Sequence, residues 1–212
     1  MNSCRISNNF YAADALRPAA IAVRMMTPRL FAFASPSGGG KTSIIKPVLQ
    51  QHPDFEFSVS ATTRGRRPGE TDGKDYFFLT KHEFKELIAS GGFVEHEFFF
   101  DNHYGTLKRE VDRALQAGHC MVFDVDVKGA LSIRQMYPKE SVLIFIAPPS
   151  LEVLEQRLRN RKTEDDEKIR TRLQRAAMEM ETGKQFDVTV VNDDLQTAIA
   201  DVEAIITKHI SS

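Results

Sequence analysis

Cysteine is scarce in this chain. Cys4 and Cys120 are the two among 212 residues, too few for a disulfide framework or a zinc site. Such scarcity fits a reducing compartment. Long apolar runs are missing as well, so no stretch is suited to cross a bilayer as a helix. Neither sign of charge prevails: 28 basic residues meet 29 acidic ones, for a formal net charge of −1. Nothing global therefore argues for nucleic acid or membrane partners, and any basic site must be a local cluster. The six histidines show no metal-ligand spacing. His96 and His103 flank Phe98, Phe99 and Phe100, an aromatic run that reads as core. The order of residues supports no Ser-His-Asp arrangement. Internal repeats and low-complexity segments are also lacking.

What is present is ordinary for a globular protein: 42% apolar and 27% charged residues, enough to bury one compact core with inserted subdomains. The first 29 residues differ, with Arg5, Arg17, Arg24 and Arg29 against the single acid Asp14. They read as an N-terminal extension, either a disordered tail or an overextended start before Met25 or Met26. An Arg-rich, acid-poor organelle leader is the alternative, and it would change a cytoplasmic location to an organellar one.

Beyond the extension, short β-rich runs alternate with helical patterns. "RLFAFA", "FSVSATT", "MVFDVD", "VLIFIAPP" and "FDVTVVND" are short and β-rich, and several are apolar at nearly every position, as strands buried on both faces should be. Thr80 and Glu83 form a capping-box pattern ahead of "FKELIAS", and Gly91 and Gly92 end that helix. Ser150 can cap "LEVLEQRLRNR", and a charged helix follows over roughly 164–181. A last helix covers roughly 195–210. The class is α/β on a mainly parallel sheet flanked by helices. The aromatic-rich region from Ser58 to Gly105 suits a small mixed or antiparallel lobe inserted into that core.

"LFAFASPSGGGKTSII" places a strand, a glycine-rich loop and a helix in succession, the context of a phosphate-binding loop. Ser35 stands where the strict pattern has glycine. Ser35, Pro36, Ser37, Gly38, Gly39 and Gly40 would turn backbone N–H groups toward phosphate oxygens, with Lys41, Thr42 and Ser43 opening the helix. Lys41 would neutralise terminal phosphates, and the Thr42 hydroxyl would join a Mg2+ shell. If Ser35 needs φ > 0, it costs on the order of 1 kcal/mol. Pro47, inside the helix, removes one backbone bond.

Past the loop come "FSVSATTRGRRPGETDGKDYFFL", "GGFVEHEFFFDNHYGT", "FDVDVKGA", "FIAPPS" and "VVNDD". From about Leu30 onward the chain closely resembles the guanylate kinase family. The resemblance implies transfer of the terminal phosphate of ATP to GMP, with Mg2+ as cofactor. It also implies a P-loop core carrying a GMP-binding lobe, roughly 60–107, and a helical lid, roughly 157–175. No nucleic acid or membrane partner is expected, and the oligomeric state is not legible.

Carried over residue by residue, the resemblance implies several roles. Arg64 and Arg67, with Tyr76 and Tyr104, would hold the acceptor phosphate, since guanidinium forks match phosphate oxygens. Glu95 would accept the paired N–H donors of guanine, with Ser60 and Thr106 beside it. Asp124 would lie near Mg2+, through water, and Asp126 on the GMP side. Arg157, Arg161 and Arg172 match lid arginines that close over the phosphates. Asn192 matches a residue near the adenine. Arg159, Arg170 and Arg175 read as solvated charge.

Overall fold

The computed structural model describes residues 27–99, 101–160 and 166–211. The leader reading for residues 1–26 lies outside them. Thr27 and Arg29 are tied to the fold. Thr27 N–H donates to Ile210 O (3.4 Å), and Arg29 reaches His209 O (3.3 Å) and Lys139 O (2.6 Å).

The core is a parallel sheet. Among the described residues it takes β1 (Leu30–Ala34), β2 (Glu56–Phe57), β7 (Met121–Asp124), β8 (Ser141–Ala147) and β9 (Val188–Val191), in the order β2-β7-β1-β8-β9. Both faces are covered, which is why β1 and β8 are buried at every position. Alternate residues of β1 face opposite ways. Phe31 and Phe33 pack with Ile44 and Val48 of α1 (Lys41–Gln51) and Val202 and Ile206 of α7 (Leu195–Ile210). Leu30, Ala32 and Ala34 pack with Val111 of α3 (Lys108–Gln116) and Ala130 and Ile133 of α4 (Val127–Met136). Pro47 sits inside α1, as the sequence indicates.

A second sheet is inserted between α1 and α3. It holds β3 (Ala61–Thr62), β4 (Phe77–Phe78), β5 (Phe93–Phe99) and β6 (Asn102–Leu107) in the order β4-β3-β6-β5. Its pairing is mixed, parallel for β3–β4 and antiparallel for β3–β6 and β5–β6. Phe84 of α2 (Lys81–Ala89) packs on Phe93 with ring centroids 4.3 Å apart. The run "FSVSATT" is not one strand: it feeds both sheets. Ser58 N–H donates to Val122 O in the core (2.9 Å), whereas Ser60 O accepts from Phe77 N–H in the inserted sheet (2.9 Å).

Two helices, α5 (Leu151–Asn160) and α6 (Asp166–Gly183), follow β8. Leu154 and Leu158 pack against Leu173 and Ala176 across the pair. The C-terminal ends of β1, β7 and β9 run into segments 35–40, 125–126 and 192–194, which are tied together where Lys41 Nζ donates to Val125 O and Asn192 Nδ2 to Gly39 O.

Candidate active site

The loop after β1 is shaped by glycine at the positions that demand it. Gly38 and Gly40 have φ of +95° and +91°, a region costly for side chains with a Cβ. Ser35 is not among the positive-φ residues, so the strain expected there is absent. Instead its Oγ donates to Pro36 O (3.0 Å) and lies beneath Gly39, where a Cβ would fall 2.0 Å from it. The serine fills space that the bare Gly39 leaves. Gly40 caps α1 in the left-handed conformation, so the helix starts at Lys41 with its first N–H groups facing outward.

Three elements converge on this loop. From β7, Asp124 Oδ1 pairs with Lys41 Nζ at 2.6 Å, and Oδ2 lies 3.5 Å from Thr42 Oγ1. Lys41 Nζ also donates to Val125 O. From the end of β9, buried Asn192 donates its Nδ2 to Gly39 O (2.8 Å) and its backbone N–H to Ala147 O (2.8 Å). From the helical pair, Arg157 Nη2 donates to Asn192 O (2.8 Å), and Arg172 Nη1 to Ser37 Oγ (3.1 Å). A cavity of about 470 Å³ lies over the loop, lined by Ser37, Lys41, Thr42, Asp126, Arg172 and Arg175.

The inserted sheet builds the facing wall. Thr106, 2% exposed, donates its hydroxyl to Glu95 Oε1 at 2.7 Å. Burial pushes the Glu95 carboxyl above the usual carboxylate range. The Thr106 hydrogen bond opposes that shift, and the nearby Asp126 and Glu97 reinforce it. Asp126 caps α4 by accepting from Gly129 N–H (2.8 Å). Glu95, Glu97 and Asp126 line a cavity of about 450 Å³. Farther along the wall, Arg64 lies over the Tyr76 ring (5.2 Å to the centroid), and Tyr76 and Tyr104 meet at 6.2 Å.

Comparison with known proteins gives this arrangement its relatives. The guanylate kinase family model matches residues 27–209. The chain is 50% identical over 182 residues to a guanylate kinase of Chlorobium chlorochromatii, covering 86% of this chain and 96% of that one. It is 46% identical over 184 residues to one of Chlorobium luteolum, covering 87% and 93%. A crystal structure of guanylate kinase from Anaplasma phagocytophilum superimposes with a TM-score of 0.67 at 28% identity, over 88% of each chain.

This chain belongs to the guanylate kinase family.

The residues singled out by resemblance to guanylate kinases fall into two groups, one around the loop and one on the inserted sheet. Residues 35–43, Asp124, Arg157, Arg172 and Asn192 gather on the core side. Ser60, Arg64, Tyr76, Glu95, Tyr104 and Thr106 gather on the inserted sheet, with Asp126 bordering both cavities. Arg161 lies outside the described residues. Asn192, matched to a residue near the adenine, has its amide nitrogen engaged by the loop carbonyl of Gly39.

Three features escape sequence reasoning. Glu70 grips Arg64 through both of its oxygens (2.7 and 3.1 Å) and accepts from Arg67 N–H (2.7 Å). Those contacts, Arg64 foremost, hold its carboxyl below the usual range. Arg175, read as solvated charge, lines the loop cavity. Phe98 and Phe99 are not core: they are 62% and 47% exposed near the tip of the β5–β6 hairpin, and Phe99 borders the loop cavity. Phe100 lies outside the described residues. The i, i+3 spacing of Arg67 and Glu70 was the one available signal, and it is common in turns.

Proposed function

We propose that the chain transfers the terminal phosphoryl group of ATP to GMP, giving ADP and GDP, in the recycling of purine nucleotides. The observation that carries this reading is the half-buried Glu95 bonded to buried Thr106 on the inserted sheet, together with a Lys41-bearing phosphate loop. Guanine offers a ring N–H and an exocyclic amine side by side, and a carboxylate accepts both. Adenine lacks that pair and would leave Glu95 buried and unmatched, a mismatch that can cost on the order of 10⁴ in specificity.

In this reading Arg64, Arg67, Tyr76 and Tyr104 hold the acceptor phosphate, and Ser60, Thr106 and Asp126 assist Glu95 with the base. The acceptor phosphate oxygen is the nucleophile. It is largely deprotonated at neutral pH, so no side chain has to remove a proton. The work of the protein is positioning and charge neutralisation. The phosphate loop supplies backbone N–H groups, and Lys41, Arg157, Arg161 and Arg172 offset charge on the transferring group. Asp124 also holds Lys41 in place.

Mg2+ fits the donors present. The Thr42 hydroxyl and Asp124 carboxylate are hard oxygens side by side. Among the described residues no three His, Cys, Asp or Glu side chains form a cage, and Mg2+ characteristically takes only one or two protein oxygens, filling its shell with phosphates and water. When bound, the ion would neutralise phosphate charge, with Thr42 and Asp124, the latter through water, holding it. The segment of roughly 60–107 then serves as GMP lobe and that of roughly 157–175 as lid. A cytoplasmic location fits the two cysteines; among the described residues no helix is long and apolar enough to cross a membrane.

Coupled measurement of ADP formation with GMP, AMP, CMP and UMP tests the reading. Turnover is expected with GMP in strong preference, and a protein inert toward GMP would overturn it.

A further inference from the structure

Arg175 leaves α6 at the junction of two cavities. One is the cavity over the phosphate loop, and the other, of about 550 Å³, lies under the β5–β6 hairpin beside Glu97, Asp126 and Lys128. Its guanidinium faces two carboxylates on different elements. Nε donates to Glu179 Oε1 at 2.8 Å, and Nη2 meets Asp126 Oδ2 at 3.5 Å. Glu179 is one helical turn along α6 and 8% exposed, so it anchors the arginine to its own helix. Asp126 begins α4, and its other oxygen is already held by Gly129 N–H. With both oxygens engaged, Asp126 has its orientation fixed from two sides. Glu97, Asp126 and Glu179 border these cavities together with Lys41, Lys128, Arg172 and Arg175, so their walls carry both signs of charge.

We propose that Arg175 is a positioning residue of the acceptor side, linking the lid helix to Asp126 and thereby setting the affinity for GMP. The inference rests on the GMP kinase reading above. The fork geometry is needed, since Nε serves Glu179 while Nη2 reaches Asp126. A lysine keeps the charge but not the fork. Lys41 is held by Asp124 and Val125 O, whereas the ion pairs of Arg175 go to Glu179 and Asp126, so its effect falls chiefly on the acceptor although it also borders the loop cavity.

The test is steady-state kinetics on the full chain, with thermal melting of each variant. Arg175→Gln is expected to raise KM for GMP about three- to fivefold, the scale of one partly exposed charge pair, and to move KM for ATP less than about twofold. Arg175→Lys is expected in between, at about twofold. In an Asp126→Asn background Arg175→Gln should have no further effect on KM for GMP. An unchanged KM for GMP, equal rises in both KM values, or full additivity with Asp126→Asn would each overturn the inference. Where Arg175→Gln does not fold, Arg175→Lys decides, and a wild-type KM for GMP in that variant would overturn it. Wild-type protein that fails to phosphorylate GMP would sink the reading beneath it. Wild-type turnover with an unmoved KM in Arg175→Gln sinks this inference alone.

Discussion

Glu95 is held in a place that disfavours its own charge. Burial raises its pKa, and Asp126 and Glu97 add to the effect. Two pH trends of opposite sign follow. In the proposed reading guanine donors need the carboxylate, so KM for GMP should rise as pH falls through the raised pKa, while KM for ATP stays flat. For stability, the folded state binds this proton more tightly than the unfolded chain. Its contribution is therefore fully present below the unfolded carboxyl pKa and is lost as pH rises through the folded one. Glu95→Gln should melt higher at neutral pH yet lose its preference for GMP over AMP by about 10²-fold or more. A lower melting temperature with the preference intact would refute both halves. Ser35 supports a simpler expectation. Positive φ falls on Gly38 and Gly40 instead, so Ser35→Gly should leave ATP affinity within about twofold, and a large gain by calorimetry would show strain. At this scale the sequence discloses residues whose chemistry is local to a motif, such as Lys41 and the loop glycines. It is silent on Arg175, because a helix of arginines does not say which one meets Asp126, 49 residues away.

Elements were legible where their ends carry chemistry. Thr80 and Glu83 form the reciprocal capping box that the pattern announces: Glu83 N–H donates to Thr80 Oγ1 (3.2 Å), and Thr80 N–H to Glu83 Oε2 (2.7 Å). Thr80→Ala should cost about 1 kcal/mol, seen as a lower denaturant midpoint with an unchanged slope; no loss would mean that packing of Phe84 alone holds α2. Strand pairing was less legible. Apolar character marks "FSVSATT" as extended chain, but pairing depends on neighbours distant in sequence, and the run divides between two sheets. The aromatic run misled for a related reason. Hydrophobicity predicts burial only where a second layer exists to cover it, and the hairpin tip carrying Phe98 and Phe99 reaches past the layer that Phe84 and Phe93 form.

At the scale of the molecule, the proposed site draws on two units, the loop and helices around the parallel sheet and the separate inserted sheet. Reaction requires the acceptor to meet the phosphate loop with water excluded. Small-angle scattering should therefore show a smaller radius of gyration with GMP and a non-hydrolysable ATP analogue together than without ligands; identical dimensions would contradict closure. The α/β class and the mixed lobe were legible because strand and helix patterns alternate, with one aromatic-rich interruption. The relative setting of the two sheets was not, because it rests on packing between residues distant in sequence, such as Val94 of β5 in one core cluster with Ala130 of α4, and on short crossings. Ser58 is bonded into the core and Ser60 into the inserted sheet, which leaves Val59 as the sole residue between the two ladders on that strand. Its two torsions act as an axle. A turn about them would cost neither sheet a rung on this strand; what resists the swing is the apolar grip of the core on Val94 of β5, and that grip sets how much the cleft's contents must supply.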